Sequence, residues 1–399
     1  MKLRSTAAGR NLWVLMGMLM YIFMGNMLSI FSRSVPYRDM LGVAVTCIGC
    51  FMLFYVLFRF PIPQSSILFP LLGFTMIALL ASGFYFFVQT STSTSYAIRL
   101  LSESVRWVAV FSWSYYIGFL KKDMVISAKI AAFAIVLFGA LFLGVKEFSA
   151  NRGIPLISTA YYALFLLPFA LLFSNKLVKW SLVACIFYTL LLSMKRTGFI
   201  AFVLGVFCYL VVDIIVNNRI DKRKGRVKVI AAILVSVAFI VLLGYITEGQ
   251  EISVLDRMES IEEDGGSGRT EVWAHTWEMI KNSDFASLVL GHGYNTVYMN
   301  SKLGISAHTD VLEVLYDYGI LGTVLYAWFY VKIWGHFRRT FARKTALAGP
   351  FAASLALALS NSAASHLVIL PTHFLFLCVF WGLIAGENER ADSVTGGLA

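Results

Sequence analysis

"GISAHTDVLEVLYDYGILG", residues 304–322, begins as a loop and ends as a membrane helix. From Val311 onward apolar residues return at helical spacing and run on to about residue 334. Asp310 and Glu313 have the spacing of a capping pair, a carboxylate at the N-cap and a glutamate three residues on. The helix is therefore expected to start at 310, with His308 on the loop just above its N-terminus. Asp310, Glu313 and Asp317 recur on one face, so that face is expected to meet water or cations rather than lipid. Gly319 and Gly322 allow another helix to approach closely.

Outward from this stretch the whole chain is apolar. Its 399 residues are 59% hydrophobic, 15% aromatic and only 14% charged, outside the range of soluble domains. A helix needs about 20 apolar residues to cross the hydrocarbon layer. Such runs recur near 11–31, 39–58, 66–89, 104–120, 126–144, 156–174, 178–194, 198–217, 229–246, 311–334, 347–366 and 372–386. Long runs without alternation exclude a barrel and predict helices. The fold class read here is all-α, a polytopic integral membrane protein of about twelve transmembrane helices. The basic start "MKLRSTAAGR" leads into an apolar core too long for a signal peptide and is kept with the first span.

Lysine and arginine collect in alternate short loops, among them Lys121 and Lys122, "RIDKRKGRVK" at 219–228 and "FRRTFARK" at 337–344. The positive-inside bias puts these loops, and with them both termini, in the cytoplasm. The formal charge of +11 is thus an orientation signal and calls for no nucleic acid. The five cysteines all fall in predicted spans, and "CIGC" at 47–50 is read as packing. No metal-ligand cluster and no cofactor motif appears.

Three segments result: 1–246 with spans one to nine, a long outward-facing loop at 247–310, and 311–399 with the last three spans and a cytoplasmic tail. The loop carries eleven acidic residues against four basic ones and three of the six histidines. A loop of this length is usually functional. Within it "GRTEVWAHTWEMIKN" predicts a short amphipathic helix with Val272, Trp273, Trp277 and Ile280 on one stripe, its tryptophans suited to the headgroup boundary.

Four residues carry the candidate chemistry. Arg196, in "SMKRTGF", sits at the outer end of the seventh span, where an arginine either snorkels or pairs with an anion. Arg269 opens the amphipathic helix, and a guanidinium fork there suits phosphate oxygens. His308 can take a proton near neutral pH. Asp310 follows it as the expected cap of the helix. "GHGY" at 291–294 marks a tight turn, with His292 as part of the turn. His366 and His373 rank below His308 because no charged partner is near them in sequence.

In this order the pieces resemble the O-antigen ligase and polymerase family of membrane glycosyltransferases: "KRTG" with Arg196, "GRTEVW" with Arg269, the "GHGY" turn, and "HTDVLEVLYDYGILG" from His308 to Gly322. The resemblance runs from about 155 to 335. It implies a type C glycosyltransferase-like architecture, with short amphipathic helices in a periplasmic loop, in the bacterial inner membrane. It implies an undecaprenyl-diphosphate-linked glycan as donor, a sugar hydroxyl as acceptor, and a chain-length regulator as a possible partner. By the same resemblance Arg196 and Arg269 would hold the diphosphate and His308 would act at the acceptor. Many relatives have Asn after the histidine, where this chain has Thr309 and then Asp310, which leaves His308 and Asp310 both open as the base. Polymerase is favoured over ligase. A lipid-linked glycan flippase is the non-enzyme alternative, against which the charged candidates cluster at the outer face rather than the midplane.

Overall fold

The computed structural model describes residues 21, 38–59, 66–88, 94–120, 124–150, 158–193, 195–218, 268–368 and 372–396. All regular structure among them is helical. In chain order the helices are α1 (Arg38–Arg59), α2 (Leu68–Val88), α3 (Thr94–Leu120), α4 (Met124–Ala150), α5 (Ala160–Leu164), α6 (Leu167–Ala170) and α7 (Lys176–Ser193). There follow α8 (Arg196–Asn218), α9 (Arg269–Lys281), α10 (Phe285–Leu290), α11 (Thr296–Asn300), α12 (Asp310–Ala342), α13 (Ala348–Ala364) and α14 (Leu375–Gly396). The expected spans at 229–246 and, apart from Tyr21, at 11–31 lie outside the described residues, as does the basic stretch 219–228.

Among the described residues five helices are long and apolar enough to cross a membrane: Leu68–Val88, Met124–Gly144, Lys176–Ser193, Arg196–Val216 and Asp310–Ala342. Their outer faces fit lipid. Phe69, Met76, Leu80, Phe84 and Phe87 of α2 are all more than half exposed, a patch that water would not tolerate on a monomer.

Two helices depart from expectation for identifiable reasons. The predicted span 156–174 is broken at Phe165 and Leu166 into α5 and α6, because Pro168 in the first turn of α6 has no N–H to continue the ladder. The predicted span 311–334 is interrupted at Gly319, whose φ of 64° and ψ of −170° are not helical.

The chain divides into two compact units, each drawn from separate stretches. The first comprises Met1–Met124, Arg269–His336 and Ser362–Ala399. Its centre is aromatic: Phe74 and Phe329 meet the Trp107 ring edge-on at 5.9 and 5.8 Å, and Phe374 lies 5.7 Å from it. Here α3 packs against α1, α2 and α14. The α3–α14 contact rests on "GLIAG", where Gly382 and Gly386 are four apart on one helix face. A Cβ at Gly386 would overlap the backbone of Tyr115 and Phe119, and one at Gly382 would approach Phe111 O at 2.7 Å. Small residues at this spacing let two backbones touch. One turn further on, Glu389 accepts from the Ile67 N–H at 3.2 Å and the Tyr115 hydroxyl at 2.5 Å, with His336 Nε2 at 3.4 Å. One carboxylate thus ties the start of α2 to α3, α12 and α14.

The second unit comprises Val125–Gly268 and Phe337–Asn361. Its core is the buried α5–α6 pair, against which α7 packs. Gly198 leaves room for α8 to lie close to α7 and α5: a Cβ there would come within 3.2 Å of Leu190 and Tyr161.

Gly386→Ala is expected to lower the thermal midpoint of the detergent-solubilised protein, by about 1–3 kcal/mol of overpacking; an unchanged midpoint would show that α3 and α14 do not need this approach. A second expectation concerns pH. Burial raises the pKa of Glu389, but the hydrogen bonds from His336 and Tyr115 outweigh it and hold the carboxyl below its usual value. A group depressed in the folded state contributes stability above its unfolded pKa, about 4.3, that is lost as pH falls through the folded value. The wild-type midpoint should therefore drop below about pH 4, and the Glu389→Gln variant, already less stable at neutral pH, should drop less.

Candidate active site

The site begins with the break in α12. Where a helix stops, its last carbonyls lose their partners. At Gly319 those are the carbonyls of Tyr316 and Asp317, and the "GHGY" turn fills them: the His292 N–H donates to Tyr316 O at 3.1 Å and the Gly293 N–H to Asp317 O at 2.8 Å. The two chains touch backbone to backbone. A side chain at Gly319 would strike Val289 and Gly291, and its φ belongs to glycine in any case. The other side of the turn is held by α2, where Ser82 Oγ accepts from the Tyr294 N–H at 2.9 Å.

Asp317 completes the clamp. Its carboxylate accepts from the Asn295 N–H at 2.7 Å, from Thr296 N–H and Oγ1 at 3.0 and 2.8 Å, and from the Val297 N–H at 3.1 Å. These are the N-terminal donors of α11, whose own first residues supply no side-chain cap. A carboxylate inside one helix therefore caps another. His292 lies flat on Tyr316, ring centroids 4.1 Å apart and 9° from parallel, with Nδ1 3.1 Å from Tyr316 O. It is part of the turn, as its sequence position suggests.

The other two carboxylates of the stretch do similar work at the front of α12. Glu313 Oε1 accepts from the Ala307 N–H at 2.6 Å. Asp310 Oδ1 accepts from Leu367 N–H at 2.8 Å and Val368 N–H at 3.4 Å, and its Oδ2 from the Tyr326 hydroxyl at 3.0 Å. Asp310, Glu313 and Asp317 are each 0% exposed. Two expectations change accordingly. The carboxylate face is buried and meets backbone N–H groups and hydroxyls, because irregular segments surround this half of α12 and bring their own donors. The cap also shifts: Thr309, whose carbonyl accepts from the Glu313 N–H at 3.1 Å, flanks the helix, and Asp310 turns sideways to residues 367 and 368.

These bonds place His308. Its neighbour Ala307 is held on both sides, the N–H by Glu313 and the carbonyl by the indole Nε1–H of Trp273 at 2.8 Å. On the other side Thr309 Oγ1 donates to Ser362 O at 3.3 Å. Between them His308 has φ 56°, a left-handed conformation that costs a non-glycine residue about 1 kcal/mol or more. Its imidazole is partly exposed and stacks on His366 at 5.0 Å, 19° from parallel. His366, 58 positions away in sequence and ranked below His308 for want of a charged partner, is the neighbour whose pairing sequence reasoning missed.

The amphipathic helix forms as α9 from Arg269, but its buried stripe is Val272, Thr276 and Ile280. Trp273 and Trp277 are 38% and 47% exposed beside that stripe. Arg269, half-buried, is the first residue of α9, following Gly268 at φ 73°. Arg196, in the other unit, is likewise the first residue of its helix, α8, and only 9% exposed. A cation at a helix N-terminus works against that helix's dipole, whereas a bound anion would gain from both.

Asp317→Asn is expected to destabilise by about 1–3 kcal/mol, since the amide turns an N–H₂ toward groups that only donate. Limited proteolysis should then cut near 295–305 faster while the helical circular-dichroism signal persists; unchanged cleavage would mean that Asp317 does not hold α11.

No curated protein matches the chain. Residues 181–327 match a family model described as O-antigen ligase, a narrower stretch than the 155–335 expected, which starts within α7 and ends beyond the kink of α12. It contains Arg196, Arg269, the "GHGY" turn and His308. Over these residues the chain is similar to the O-antigen ligase and polymerase-like family, whose members are glycosyltransferase-like enzymes of surface-polysaccharide synthesis.

Proposed function

We infer that the protein is a bacterial surface-polysaccharide polymerase of the inner membrane. Both termini are cytoplasmic and the site on the loop 247–310 faces the periplasm. The donor is a glycan on undecaprenyl diphosphate, and the acceptor is a sugar hydroxyl of another lipid-linked repeat unit. The observation that carries the reading is His308: a partly exposed imidazole held in a left-handed backbone conformation between two hydrogen-bonded neighbours, at the start of a membrane-length helix. Strain kept in place by its surroundings marks functional positions.

The reaction then runs as a direct displacement. The acceptor oxygen attacks the anomeric carbon, its proton passes to His308, and the bond from that carbon to the diphosphate oxygen breaks. The departing lipid diphosphate gains negative charge, which Arg196 and Arg269 stabilise, each with helix N–H groups behind it. Of the two residues open as the base, His308 is favoured. Each oxygen of Asp310 already accepts a hydrogen bond in a fully buried setting, so Asp310 acts as the residue that fixes the helix start beneath His308. A second reading, a ligase that moves the finished glycan to lipid A-core or to protein, is favoured by the description of the matched family.

Transfer from a purified lipid-linked donor, with acceptor of either kind supplied, tests both readings. His308→Ala should lower the rate by roughly 10²- to 10⁴-fold at normal protein levels, and Arg269→Ala should abolish extension. Arg196→Lys keeps the charge and loses the fork, so full activity there would reduce that residue to simple electrostatics. Near-normal transfer by His308→Ala would remove the histidine from the mechanism.

A further inference from the structure

The loop side of the first unit holds a cavity of about 380 Å³ between α9, the "GHGY" turn and α11. His308 does not line it. Its size is at the lower end of small-molecule sites, about 300–1,000 Å³, but its lining is unlike theirs. Such sites are mostly apolar, whereas among the lining residues here only Met279 is aliphatic, beside His275, Glu278, Asn282, Asn300 and Lys302. Tyr316, with His292 stacked on it, contributes the aromatic wall.

The alternation of donors and acceptors around the cavity points to a hydroxyl-rich ligand. Asn300 Nδ2 donates to the Tyr316 hydroxyl at 3.2 Å, and the Ser283 hydroxyl donates to Met279 O at 3.0 Å. That leaves the Asn300 carbonyl and the Ser283 lone pairs as acceptors, with the Asn282 amide and the Lys302 ammonium as donors. One lysine against one glutamate gives no bias toward a phosphate. A sugar ring, whose hydroxyls both donate and accept, fits this lining.

The cavity shares its supports with His308. Ala307 and Tyr316 belong to one small apolar cluster with Ile280 and Val297. Along α12, Tyr316 lies six residues beyond Asp310, or roughly 9 Å at 1.5 Å per residue. We propose that this cavity is a saccharide subsite that binds a sugar of the glycan chain away from the bond being formed and so sets the register of the chain at His308. The proposal rests on the glycosyltransferase reading for its purpose, but its binding step can be tested apart from transfer.

The test uses the full-length protein in lipid nanodiscs and, as probe, soluble oligosaccharides of one to three repeat units released by mild acid from the surface polysaccharide of the encoding cell. Wild-type protein should bind them, detected by calorimetry or saturation-transfer NMR. Asn282→Trp, which fills the cavity from the exposed end of α9, should abolish binding, and Lys302→Ala should weaken it about tenfold. His308→Ala should keep binding while losing transfer. If Asn282→Trp fails to fold, Lys302→Ala and His275→Phe carry the test alone. Absence of binding by the wild type, or binding unaffected by both Asn282→Trp and Lys302→Ala, overturns the subsite. Binding that these variants remove, in a protein that forms no glycosidic bond, keeps the subsite and overturns the transferase reading.

Discussion

The carboxylate of Asp317 is the interaction on which the candidate site depends. It lies fully buried within a helix of membrane length and receives donors from three consecutive residues of a segment some twenty positions earlier. An uncompensated carboxylate there would be costly, and the uncapped N-terminus of α11 would be costly too. Bringing them together satisfies both. The same junction joins the orphaned carbonyls of the α12 break to the N–H groups of the "GHGY" turn, so a helix interruption and a loop complete each other's hydrogen bonding. Gly291 and Gly319 are required because no Cβ fits between the two backbones.

From that junction the rest of the loop is built outward. Glu313 and Trp273 hold Ala307, Thr309 is tied to Ser362, and Asp310 holds residues 367 and 368. Each acidic residue of α12 thus anchors a different irregular segment. Backbone without regular structure is tolerated near a membrane only where its polar groups are met, and here the acceptors come from a helix rather than from water. His308 stands where these tethers meet, and its left-handed backbone and its stack on His366 follow from them.

Much of this was legible in the sequence. Long apolar runs gave the helices, since lipid leaves few other ways to satisfy a backbone. The start of α12 near 310 and of α9 at Arg269 could be read from the change of polarity and the amphipathic spacing, although Asp310 does not serve as the cap. Pro168 and the "GLIAG" of α14 carry local signals as well, one for a break and one for close helix contact. The amphipathic stripe was legible only approximately: Thr276 is buried where Trp273 and Trp277 were expected, because the indole of Trp273 turns to the carbonyl of Ala307.

What the sequence by itself determined is therefore short-range: membrane helices, their approximate ends, and a polar segment carrying a histidine and an arginine. The tertiary structure alone decided the partners. Three carboxylates at helical spacing are equally consistent with a wet face and with a face covered by loops, because spacing records which residues share a side and not what meets it. The pairing of His308 with His366, the capping of α11 by Asp317 and the polar cavity beside Tyr316 all join residues sixteen or more positions apart. Their energies come from desolvated hydrogen bonds that exist only once the segments have met.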